Sequence, residues 1–319
     1  MIQTAVPSQP VDGVLLLDKP VGITSNTAIQ RVKHLMRAAK AGHVGTLDPL
    51  ASGLLPVCLG EATKFSTGAF GAAKRYDAEI LLGVTTATGD TEGEVISRFS
   101  VAVSRKQVEE VLPQFTGPIM QTPPMYSALK RDGKPLYAYA RAGHTVAREP
   151  RGVTIHSIVT HGFASDRLQV SVHCSKGTYI RVLAEDIGRA LGCGATLAGL
   201  RRTAVGAFDI TQAITLERLE ELPEARRLAC MLPVDSLVLE LPCMSLEAGP
   251  ARRLQLGQAN QLEGAEMSGL VRLYDLDNQF LGLGEVQQGG RLVAKRLLAI
   301  AVKEPAGKGG AQPQAPKNA

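Results

Sequence analysis

Residues 42–65 read GHVGTLDPLASGLLPVCLGEATKF, and the part through Gly53 sets a single carboxylate, Asp48, among glycines and apolar side chains. From Pro49 to Gly60 the chain carries no charge, but two prolines and two glycines interrupt it. A membrane-spanning helix needs about 20 consecutive apolar residues, so this run is read as a loop or short element and not as a span. Asp48-Pro49 also fits a helix start, with an aspartate cap and a proline at the first helical position. Two readings of the carboxylate therefore stand: a structural cap, or a chemical group.

Upstream, GVLLLDKP reads as a strand running into a turn. Thr24, Ser25 and Asn26 then offer caps for a helix through Lys40, with Ile29, Val32, Leu35, Met36 and Ala39 as its apolar stripe. Its other face carries Arg31, Lys33, Arg37 and Lys40, suited to phosphates or simply to water. Downstream, Tyr76, Ala78, Ile80 and Leu82 share one face of a strand over 75–82, and Ser104-x-x-Gln107 opens a helix as a capping box. Strands are expected at 153–160 and 167–174, then a turn at Ser175-Lys176-Gly177 and a helix to about Leu191. Strands and helices mix without a βαβ rhythm, which predicts an α+β fold with a mixed, largely antiparallel sheet. Neither GxxxxGK[ST] nor GxGxxG occurs, so no loop for ATP or a dinucleotide is expected.

The chain has 319 residues, 45% of them hydrophobic, with 35 basic and 30 acidic side chains. This composition excludes a disordered or collagen-like protein. The odd count of five cysteines, without Cys-x-x-Cys spacing, speaks against a disulfide framework or a zinc site. The first residues lack a basic start and an apolar core, and the protein is expected to be cytoplasmic. The charge excess is concentrated between Pro124 and Gly152, where Lys130, Arg131, Lys134, Arg141, Arg148 and Arg151 face only Asp132 and Glu149. Tyr126, Tyr137 and Tyr139 lie there too, a mixture that suits RNA phosphates and stacked bases as well as a solvated basic loop. Residues 222–249 are rich in proline, leucine and glutamate, which places a domain boundary near 245. A small β-rich piece follows over 245–303, and 304–319 has nothing to bury and is read as disordered.

The 42–65 run resembles the catalytic motif of the TruB family of tRNA pseudouridine-55 synthases. Further matches follow in order: KPVGITS at 19–25, then Gly83, Thr86, Thr88, Asp90 and Gly93, QTPPMYSALKRDGKPLYAYAR from Gln121, SKGTYIRVLAEDIG from Ser175 and LRRTAVG from Leu200. The final segment, GLVRLYDLDNQFLGLGEV and onward, is similar more loosely to the family's PUA-like RNA-binding domain. The resemblance implies a pseudouridine synthase catalytic domain over 1–244, with an RNA-binding insertion at about 124–152, and a PUA-like domain over 245–303. It implies an isomerase that flips the T-loop uridine out of tRNA and rebuilds it as the C-glycoside. No cofactor, metal, membrane or guide RNA is expected, and the protein is expected to be a monomer that binds the T-arm.

By the same resemblance Asp48 is the catalytic aspartate and Arg181 its ion-pair partner, expected to hold it ionised. Tyr76 packs on the flipped base, Tyr179 borders it, and Leu200 forms an apolar wall. His43 helps bind the displaced nucleotide, Lys19 belongs to the substrate-binding set, and Lys130 and Arg141 grip RNA from the insertion. Taken without the family, Arg181 reads as a surface arginine, Tyr76 and Leu200 as core, and His43 as structural. If residues 179–181 are extended, Tyr179 and Arg181 point to one face. Two other functions would use the same surface: a tRNA-folding chaperone with catalysis secondary, and a synthase aimed at another RNA uridine.

Overall fold

The computed structural model describes residues 11–66, 71–264 and 267–299. They form two compact units, one through Pro233 and one from Val234. The first is built on a mixed, largely antiparallel sheet of eleven strands. Its main path runs Ile214–Thr215, Gly13–Lys19, Ala51–Leu59, Ala195–Val205, Lys74–Leu82, Arg167–Cys174, Arg151–Ala164 and Gly117–Gln121. Parallel pairing occurs only where Gly13–Lys19 meets Ile214–Thr215 and where Ala51–Leu59 meets Ala195–Val205 within this path.

The decisive stretch is neither a loop nor a helix start. Ala51–Leu59 is a central strand, buried along almost its whole length, lying against Gly13–Lys19 on one side and Ala195–Val205 on the other. A strand covered on both faces has no polar alternation, which is why an uncharged run with prolines hides one. Pro56 has no amide to donate, but its carbonyl accepts from the Val44 amide at 3.0 Å. Asp48 caps no helix; it lies just ahead of the strand, and its carbonyl accepts from the Ala51 amide at 3.1 Å.

The strand Lys74–Leu82 alternates as expected, with Tyr76, Ala78, Ile80 and Leu82 turned into the core. Arg167–Cys174 matches its expected span, whereas the neighbouring strand runs longer, over Arg151–Ala164, and is bulged twice. The first helix, Ser25–Leu35, is capped by Thr24, whose hydroxyl accepts from the Thr27 amide at 3.0 Å. It stops short of Lys40 because Arg37 adopts a left-handed φ of 51°. Ala38 is consequently buried and Ala39 exposed. The Ser104/Gln107 capping box forms and starts the helix Arg105–Val111, which tightens into a 3₁₀ turn at Leu112–Phe115 around Pro113.

The second unit carries a five-stranded sheet in the order Cys243–Ser245, Gly269–Tyr274, Phe280–Val286, Arg291–Leu297, Asn260–Gln261. Leu246, Leu254, Val271, Leu273, Val286 and Leu292 fill its core. Its start precedes the composition change near 245 because side chains bind the preceding residues to the sheet. The Tyr274 hydroxyl donates to Asp235 at 2.6 Å, and Arg272 Nε donates to the Leu241 carbonyl at 2.9 Å. Residues 304–319, read as disordered, lie outside the described residues.

Candidate active site

The loop between the strands Ala41–His43 and Ala51–Leu59 is fastened on both sides of Asp48. Val44 donates to Pro56, the carbonyls of Gly45 and Thr46 accept from Arg202 at 3.0 and 3.4 Å, and the Pro49 carbonyl accepts from Gly22 at 2.8 Å. The buried Ser25 hydroxyl closes the set by accepting from the Leu47 amide and donating to the Leu47 carbonyl, both at 2.8 Å. A Ser25→Ala change strands a buried donor and a buried acceptor, each worth about 1–3 kcal/mol when unpaired. It is expected to lower the thermal midpoint and slow turnover together; a variant with the parental midpoint in calorimetry would show that water replaces the hydroxyl.

Arg181 faces Asp48 from the helix Ile180–Ala190. Its Nη2 lies 3.0 Å from Asp48 Oδ2 and its Nη1 lies 3.4 Å from Asp90 Oδ2. The same guanidinium donates to the carbonyls of Thr88 at 3.0 Å and Tyr126 at 2.7 Å. Arg181 and Asp90 keep 7% and 5% of their side-chain surface, whereas Asp48 keeps 45%: the far end of the ion-pair chain is sealed and the near end open. Asp90 is held in turn by the Thr88 hydroxyl at 2.5 Å and the Glu92 amide at 3.2 Å.

Burial pushes the Asp48 carboxyl above its ordinary value; Arg181 opposes this, Asp90 adds to it, and Lys19 opposes it. The downward shift expected from an arginine alone is thus outweighed by desolvation and by the second carboxylate. The extended geometry considered for residues 179–181 is not adopted either. Tyr179 is extended but caps the helix, and Arg181 already lies in its first turn, so strand alternation does not align them. Tyr179 is instead clasped by the buried Gln121, which accepts from its amide at 3.0 Å and donates to its carbonyl at 3.3 Å.

Of the other expected site residues, Lys19 is fully buried and its Nζ donates to the carbonyls of Pro20 and Ile23 at 2.7 and 2.8 Å. Burial brings its pKa down to about 8, against the attraction of Asp48 and Glu92. Tyr76 is buried directly across from Arg202 in the strand register, and burial pushes its phenol up. His43 is half-buried, with its pKa lowered by burial and by Arg202. Leu200 stands in register between Ala51 and Ala78 and lines, with Val21 and Leu50, an open hollow of about 550 Å³.

Lys130 and Arg141 lie away from this cluster. Lys130 starts a short hairpin, Lys130–Arg131 with Lys134–Pro135, and Arg141 ends the helix Leu136–Arg141, stacked 5.6 Å over the Tyr137 ring. Both are exposed. The root of the insertion nevertheless reaches the ion pair through the Tyr126 carbonyl on Arg181. Sequence reasoning left three supports without roles: Asp90, Arg202 and Gln121. Asp90 stood in a quoted motif and Arg202 in the Arg-Arg pair, but nothing local shows that one arginine of that pair is buried while Arg201 bonds the Asp18 carboxylate near the surface.

The TruB family pseudouridylate synthase model for the N-terminal domain matches residues 33–180. A tRNA pseudouridylate synthase B C-terminal domain model matches 181–239, and a pseudouridine synthase II TruB C-terminal model matches 242–298. A relative named tRNA pseudouridine synthase B from Methylobacillus flagellatus is 52% identical over 90% of this chain and 95% of its own. One of the same name from Azoarcus sp. strain BH72 is 54% identical over 93% of this chain and 98% of its own. Among solved structures, a chain of a Cbf5–Nop10–Gar1 complex superimposes with a TM-score of 0.66 at 28% identity, covering 88% of this chain and 80% of that one. Sequence, fold and the carboxylate on its fastened loop agree: the chain belongs to the TruB family of pseudouridylate synthases.

Proposed function

We propose that this chain converts the T-loop uridine of tRNA into pseudouridine, with Asp48 as the catalytic group. The observation that carries this reading is the pairing of Asp48 with a buried, four-partnered arginine, on a loop fastened at the residues around it, in a chain of this family. The isomerisation breaks the bond from ribose C1′ to N1 of the base, turns the base and joins C1′ to C5. The C5 proton leaves and N1 takes up a proton, so atoms and electrons balance without an external donor. Asp48 serves as nucleophile or base in this sequence.

The remaining roles belong to the same proposal. Arg181 orients Asp48 and offsets its charge, Tyr76 stacks on the flipped base, Tyr179 and Leu200 border it, and Lys19 and His43 complete the substrate-binding set. A uridine inside a folded T-arm has to leave its stack, at a cost of a few kcal/mol that stacking and phosphate contacts offset. The basic insertion over 124–152 supports direct grip of the T-arm, without a guide RNA, by a cytoplasmic monomer. The described residues include no helix long and apolar enough to cross a membrane. The test is a tRNA transcript with tritium at uridine C5, incubated with the protein without cofactor or added metal. Tritium release with pseudouridine mapped to the T-loop is expected; release from another uridine would reassign the substrate, and no release would overturn the reading.

The insertion makes its own prediction. Arg131 and Arg148 are engaged with the carbonyls of Ala147 and Pro123, at 2.8 and 3.0 Å, whereas Lys130 and Arg141 point outward. Replacing Lys130 and Arg141 together by alanine is expected to weaken tRNA binding. It should also reduce the log–log salt slope by about 1.4, at about 0.7 per lost single-strand phosphate contact. Filter binding across a salt series measures it; an unchanged slope removes both residues from the phosphate contacts.

A further inference from the structure

The largest fully buried side chain among the described residues is a cation. Arg202 retains 1% of its surface, and no carboxylate lies within ion-pairing distance of it among the described residues. Its charged neighbours worsen matters, since Lys19, His43 and Lys74 are each made harder to protonate by it. Burying an unpaired cation is expensive unless its protons are bonded, and an apolar side chain would fill the same space more cheaply.

The bonds that compensate this cation all go to the catalytic loop and its surroundings. Nε donates to the Leu54 carbonyl at 2.8 Å, Nη2 to Gly45 at 3.0 Å and Nη1 to Thr46 at 3.4 Å. On its own sheet face Arg202 stands directly opposite Tyr76 in the strand register. Glycines make room for it. A Cβ on Gly45 would come within 3.3 Å of Nη1, and one on Gly53 would collide with the Arg202 backbone. One guanidinium therefore joins the loop two and three residues before Asp48 to the strand six residues after it, from the strand position directly opposite Tyr76.

We propose that Arg202 is a positioning residue for the isomerisation: it fixes the height of the Asp48 loop against Tyr76, and acts on the chemical step rather than on tRNA binding. This inference rests on the reading of Asp48 as the catalytic group. Arg181 orients the carboxylate itself, while Arg202 holds the backbone from which that carboxylate projects. A lysine at 202 keeps the charge but reaches one carbonyl at a time, so the loop should lose its fixed height while the core keeps its cation.

The test compares full-length parent, Arg202→Lys, Arg202→Met and Asp48→Asn on tritiated tRNA. It measures the saturating single-turnover rate per folded molecule, the tRNA dissociation constant by filter binding, and the folded fraction by circular dichroism. For Arg202→Lys, a rate loss of about a hundredfold is expected, the order produced by small misplacement of a reacting group, with affinity within about twofold of the parent. Arg202→Met should lose at least as much rate per folded molecule. A rate that falls only in proportion to the folded fraction, or a loss that appears in affinity instead, overturns the proposal and leaves Arg202 a structural residue. The Asp48 reading fails separately, if Asp48→Asn still releases tritium.

Discussion

Asp48→Asn is expected to lower tritium release from uridine-labelled tRNA by a factor on the order of 10⁴ or more, while tRNA affinity stays within about twofold. The amide fills the same space but neither attacks carbon nor takes a proton. The same change should not destabilise the protein at neutral pH. Burial raises the folded-state pKa of Asp48, so the folded chain holds this proton more tightly than the unfolded chain between the ordinary carboxylate value and the raised one. Across that window the contribution of Asp48 to stability falls as pH rises, and above it the ionised group is a net burden that asparagine lacks. Calorimetry at pH 7 should therefore show a thermal midpoint at or above that of the parent. A clearly lower midpoint would mean that the ion pair with Arg181 outweighs the burial of the carboxylate. Because the ionised form is the reactive one, the acid limb of the single-turnover rate should lie above the ordinary carboxylate range.

Arg181→Met has the opposite profile, with stability and rate falling together. It leaves Asp90, sealed behind it, without its cation, and breaking a buried ion pair from one side costs about 3–5 kcal/mol. Losing the guanidinium fork beside a developing charge typically slows the chemistry by about 10²–10³. Arg181 is also the strongest influence holding the Asp48 pKa down, so the acid limb should move to still higher pH in this variant. Arg181→Lys keeps the charge but cannot span Asp48, Asp90 and two carbonyls at once, and should recover stability better than rate. A Met variant with the parental midpoint would show that the Thr88 hydroxyl and Glu92 amide suffice for Asp90.

Much of this architecture was legible in the sequence wherever one face of an element is wet. Tyr76, Ala78 and Ile80 alternate with Asp77 and Glu79, and the Ser104 capping box announces its helix, so both emerge where the pattern places them. The strand Ala51–Leu59 was hidden because burial on both faces removes the alternation by which strands are recognised. The candidate site was legible through motif resemblance, which names Asp48 and Arg181 but not what holds them. Asp90, Gln121 and Arg202 act on partners far away in the chain, across turns whose geometry no local pattern encodes. The direction of the Asp48 shift was missed for the same reason: the burial of the carboxyl, and after it the second carboxylate behind the arginine, are visible only once the chain has folded.

The fastening of the Asp48 loop bears on how activity should be lost with time and heat. A loop anchored at Pro56 to the buried strand Ala51–Leu59, at Arg202 to its neighbour and at the buried Ser25 to the first helix cannot open on its own, since releasing these three leaves buried polar groups unpaired. Its amides should exchange with solvent deuterium together with those of Ala51–Leu59, in the unit that opens last. Heat inactivation and global unfolding should then be one event at this loop, while the outward-facing hairpin of the insertion exchanges early and independently.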